Sequence, residues 1–61
     1  MNFPKHDHPL TLAYIAGTRA TTQEAIRDNM RLVLSLETHV PVIVRDQCRL
    51  AAEVLLERKM Q

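Results

Sequence analysis

Residues 7–17 read Asp7-His8-Pro9-Leu10-Thr11-Leu12-Ala13-Tyr14-Ile15-Ala16-Gly17, and whether this stretch is helix or strand decides the fold. As a helix, both of its ends are signed. The Asp7 carboxylate can accept a first-turn backbone N–H, Pro9 has no N–H to leave unpaired there, and Gly17 suits a left-handed stop. As a strand, Leu10, Leu12 and Tyr14 fall on alternate positions, because over so short a run period two and a buried helix place apolar side chains alike. Only the helix uses Asp7, Pro9 and Gly17, so a helix over about 8–16 is the expectation.

Downstream the signals are helical throughout. Thr21-Thr22-Gln23-Glu24 fits a capping box, in which the Thr21 hydroxyl accepts from the Glu24 amide and the Glu24 carboxylate reaches back to the Thr21 amide. From there to Glu37, the apolar residues Ala25, Ile26, Met30, Leu32, Val33, Leu34 and Leu36 sweep an arc of roughly 200°, about twice the stripe of an ordinary surface helix. His39-Val40-Pro41 ends that helix, and the fixed φ of proline can open the next. The third helix, over about 42–59, carries two apolar rows. Val44, Cys48, Ala51 and Leu55 follow a 4-3-4 spacing, and Ile43, Leu50 and Val54 lie beside them.

These elements define an all-α chain: a flexible arm over residues 1–6 and a single helical domain over 7–61, with helices at about 8–16, 22–37 and 42–59. The short break between the two long helices implies an antiparallel helical hairpin, with the short first helix across it as a lid. No internal repeat or low-complexity segment is present.

At 61 residues and 7.0 kDa the chain is near the lower limit for a self-sufficient core. Folding would bury roughly 6,000 Å², worth about 90 kcal/mol for its apolar part, and ordering the chain costs about the same. Such a balance calls for a supplement. Cys48 is the sole cysteine, which excludes an intrachain disulfide and a thiolate zinc cage and suits a reducing, cytoplasmic setting. Association is what remains. A symmetric helical-bundle homodimer is expected, sealed along Val44, Cys48, Ala51 and Leu55.

Composition also removes function classes. A net charge of +1 and pI ≈ 8.0 favour neither nucleic acid nor an acidic membrane, and no apolar run approaches the ~20 residues of a membrane span. Residues 1–8 have no apolar core of the signal-peptide kind. With a single glycine there is no phosphate-cradling loop. His6, Asp7 and His8 resemble a metal tract, but adjacent side chains converge on an ion only if the backbone aims them, and Asp7 already serves as a cap. Cys48 lies between apolar neighbours on its helix, where a thiol is inert. No catalytic residue, cofactor or metal is therefore expected, and the chain reads as a non-enzyme.

Arginine pairs are the remaining chemistry. Arg27/Arg31 and Arg45/Arg49 are spaced i, i+4, and paired guanidinium groups suit bidentate contact with carboxylate or phosphate. With Tyr14 and Phe3 they make the expected contact set for a protein partner, which gives an adaptor or inhibitor of the size that phages and mobile elements encode. The alternative follows from the strand reading. With 10–16 as a strand, the order strand, helix, helix resembles a ribbon-helix-helix repressor, a resemblance that would imply a dimeric DNA-binding regulator whose strand faces the major groove. Thr11, Ala13 and Ile15 would then occupy the base-reading face, where polar side chains belong, so nucleic acid is the less favoured partner.

Overall fold

In the computed structural model, which describes residues 5–60 with side chains through Glu57, the stretch after Asp7 is helical. Helix α1 runs Pro9–Arg19, α2 runs Gln23–Glu37 and α3 runs Val42–Met60. The chain is all-α, and among the described residues there is no strand, which removes the strand reading of 10–16.

Local chemistry sets the boundaries, in places by other residues than expected. His8, not Asp7, caps α1: its Nδ1 accepts from the Leu10 amide at 3.0 Å, which requires that nitrogen to carry no proton. Asp7 is exposed in the preceding turn. That turn is closed on the Lys5 carbonyl, which accepts from the His8 amide at 3.2 Å and from the Thr11 hydroxyl at 2.6 Å. The second bond explains how Thr11 can be fully buried, since its polar group is satisfied.

Gly17 does not stop α1. Its backbone is ordinary helix, and α1 continues to Arg19. What the missing side chain supplies is room, because a Cβ on Gly17 would lie 2.6 Å from Asn29 Oδ1 on α2. Asn29 Nδ2 meanwhile donates to the Ala13 carbonyl at 2.9 Å and ties the two helices together. The cap of α2 falls one residue later than the capping box implies: Thr22 Oγ1, not Thr21, accepts from the Ala25 amide at 3.1 Å. After α2, the His39 amide donates to Leu36 and the Val40 amide to Glu37, and the Pro41 carbonyl accepts the first α3 bond from Arg45 at 3.0 Å.

α1 is the middle element. Both long helices pack on it, and α2 and α3 meet only weakly. Within one chain this reverses the expected plan of a helical hairpin with α1 as a lid. Small side chains are the cause. Ala13 on α1 and Cys48, Ala51 and Ala52 on α3 let the two backbones approach, and with Leu10 and Thr11 they make up the buried interior. α2 buries none of its residues. The result is a slab measuring 35 × 31 × 13 Å over its Cα atoms.

Candidate interaction surface

The row expected to seal a dimer is turned inward. Cys48 and Ala51 are 0% exposed within the single chain, packed against α1, and Val44 and Leu55 are half-buried beside them. Cys48 and Ala51 are therefore spent on the packing of α3 against α1 within the chain, which departs from the expected seam. The neighbouring row is the outward one. Ile43 is 71% exposed, and Leu50 and Val42 are also open to solvent. Both rows are apolar, and α3 buries the one whose smaller side chains permit the closer approach.

α2 presents the other apolar surface. Ile26, Met30 and Leu34, at four-residue spacing, form a ridge along one side of the helix, with Leu34 61% exposed. Leu32 is exposed on a different side of the same helix. Val33 and Leu36, half-buried, lie on the arc facing α1.

The six residues expected to meet a partner do not form one patch. Arg27 and Arg31 are exposed on α2, with no hydrogen-bond or ion-pair partner among the described residues. Arg45 and Arg49 belong to α3, which hardly touches α2. Arg45 is half-buried, and its Nε is buried without a hydrogen-bond partner among the described residues. Tyr14 has an internal role: its hydroxyl donates to Glu37 Oε2 at 2.5 Å and fastens α1 to the last turn of α2. Burial pushes the Tyr14 phenol above its ordinary value, and the Glu37 carboxylate adds to the rise. Arg49, close by on α3, pulls the other way. Phe3 lies outside the described residues.

A groove went unread in the sequence. It has a volume of about 740 Å³, a floor of Leu12, Ile15 and Ala16 on α1, flanks at Ala25 and Leu55, and Asp7 and Arg19 among its polar lining. α1 is apolar on nearly every side, so periodicity could not tell the Leu12–Ile15–Ala16 face from the buried Leu10–Ala13 face. The groove is predominantly apolar, with His6, Asp7, Arg19 and Asn29 as its polar lining.

Among the described residues, no group of three or more His, Cys, Asp or Glu side chains is placed to hold a metal ion. No helix among them is long and apolar enough to cross a membrane. No family model matches the chain, and no curated protein or solved structure matches it.

Proposed function

We propose that this chain is a small, non-enzymatic interaction module that binds a protein partner through a helical face, as an adaptor or inhibitor in a reducing, cytoplasmic setting. The observation that carries this reading is the uncovered side of α2, where Ile26, Met30 and Leu34 are exposed on a helix with no fully buried residue. A contiguous apolar ridge with polar neighbours is the form taken by helix-in-groove recognition. Arg27 and Arg31 flank the ridge with guanidinium groups that have no partner among the described residues, suited to a carboxylate at the rim of a partner's groove. The DNA-binding alternative rested on a strand at 10–16, and that segment is α1.

The test is a photoreactive residue in place of Met30, with Glu53 on α3 as the control position, irradiated in the cells that make the protein. A discrete adduct with another protein from position 30, and none from position 53, is the expected result. Adducts at neither position, or equal labelling at both, would remove the adaptor reading.

A further inference from the structure

We infer that the turn over residues 5–8 is a proton-operated latch: neutral His8 holds it closed on α1, and protonation of the imidazole releases it. The latch lies at one wall of the groove and is independent of the interaction face on α2.

The bond that fastens the turn has a single polarity. The Leu10 amide donates to His8 Nδ1 at 3.0 Å, so that ring nitrogen supplies a lone pair, which it has only without a proton. The usual cap residues Ser, Thr and Asn accept with an oxygen that no change of pH near neutrality removes. Imidazole, by contrast, gains its second proton between about pH 5 and 8, and the imidazolium has two N–H donors and no acceptor. Its Nδ1–H would then oppose the Leu10 N–H, and its charge would sit at the positive end of the α1 dipole. Both effects act against the closed turn.

More than one helix end depends on this cap. The Lys5 carbonyl, on the far side of the turn, accepts from the His8 amide at 3.2 Å and from the Thr11 hydroxyl at 2.6 Å. Thr11 is fully buried, so opening the turn deprives a buried hydroxyl of its acceptor. His6 and Asp7, which lie between Lys5 and His8, line the groove together with Leu12 and Leu55, so the groove wall moves with the turn.

The charged surroundings can be named. Within the turn they are Lys5, His6 and Asp7. α3 meets this end of α1 with its later half, since Leu55 shares the groove with His6 and Asp7 while Arg49 lies by Tyr14. Among the described residues its charged side chains there are Glu53 and Glu57, both exposed. α2 ends with Glu37, which is engaged by the Tyr14 hydroxyl, and is followed by the exposed His39. The carboxylates favour an imidazolium and so work against the latch, but none of them accepts from the Leu10 amide. His39 provides an internal contrast: its Nδ1 lies 2.9 Å from the Ser35 carbonyl, a bond in which the ring must donate and which protonation preserves. The contribution of the His8 cap is therefore complete above the imidazole range and is lost as pH falls through it.

The experiment is urea unfolding of the full chain, followed by circular dichroism at about pH 7.5 and about pH 5, for the wild type, His8→Asn and His39→Gln. Asparagine keeps an acceptor at the cap and does not titrate. Between the two conditions the folded-to-unfolded ratio of the wild type should fall about fivefold more than that of His8→Asn, the fold-change of one lost cap. His39→Gln should follow the wild type. On isotope-labelled protein, the Leu10 amide proton resonance should shift through the imidazole range in the wild type and in His39→Gln, and stay in place in His8→Asn. That resonance reads the bond itself, so it decides even if His8→Asn alters overall stability. Equal pH dependence in the wild type and His8→Asn overturns the latch, as does a wild-type Leu10 amide that ignores pH. A fall that disappears in His39→Gln and persists in His8→Asn overturns it as well.

Discussion

Gly17 and Asn29 act as one device at the crossing of α1 and α2. The absent Cβ makes room for the Asn29 amide, which donates to the Ala13 carbonyl while its oxygen lies over Gly17. Gly17→Ala gains about 1 kcal/mol of helix propensity, yet it displaces Asn29 and forfeits a bond worth about the same. The substitution should leave stability nearly unchanged in the native chain and stabilise it by about 1 kcal/mol when Asn29 is already alanine. A double-mutant cycle in urea measures this, and equal effects in both backgrounds would exclude the coupling. Tyr14 offers a pH-dependent counterpart. Its folded-state value is raised above 10.0 by burial and then by Glu37, so the fold favours the protonated phenol. That contribution is complete below the unfolded value and is lost as pH rises through the folded one. Stability should therefore fall in the alkaline range, and Tyr14→Phe should abolish that fall. The chain has one tyrosine and no tryptophan, so phenolate absorbance reports the group directly, and a midpoint at or below 10.0 would contradict the assignment.

Helix termini show how far sequence signals reach. All three helices were legible, because Pro9, the Thr21-Thr22 pair and Pro41 punctuate the chain on physical grounds that tertiary structure does not override. Which neighbour caps was not. Asp7 and His8 can both accept an amide, and the Lys5 turn decides for His8; Thr21 and Thr22 differ only in which one the helix leaves at its start. Thr22→Ala should cost about 1 kcal/mol and Thr21→Ala close to none, as thermal unfolding of the two variants will show. The reverse order would reinstate Thr21 as the cap. Gly17 was misread because a glycine at the end of an apolar run usually marks a stop, and the need it meets here lies on another helix. The same limit applied to α3, whose two rows are equally apolar in sequence and are told apart only by the α1 surface that admits the smaller one. Arg27, Arg31 and Arg49 are exposed and Arg45 is half-buried, and their separation onto α2 and α3 follows from a packing order that the short connecting turn misrepresents.

For the whole molecule, stability is concentrated on the seam between α1 and α3. Among the described residues Leu10 has no large apolar neighbour of equal burial to share its load, so Leu10→Ala should cost about 3 kcal/mol, a large part of what so small a chain possesses. Urea titration followed by circular dichroism gives the value, and a loss below about 1 kcal/mol would show that the interior lies elsewhere. α2, by contrast, has no fully buried residue and is tied to α1 by the Asn29 bond at its middle, the Tyr14–Glu37 bond in its last turn and the half-buried Val33 and Leu36. The chain thus has one helix pair sealed by fully buried side chains and a third helix packed on α1 by half-buried ones, and the third carries the uncovered ridge.

Cys48 gives that division a built-in clock. Its sulfur is sealed between α1 and α3, so a thiol reagent can reach it only in molecules where those helices have parted. The rate at which the native protein takes up such a reagent therefore counts the partings of α1 from α3. Whatever binds the outer ridge and slows that uptake does so by lending rigidity to a seam it never touches.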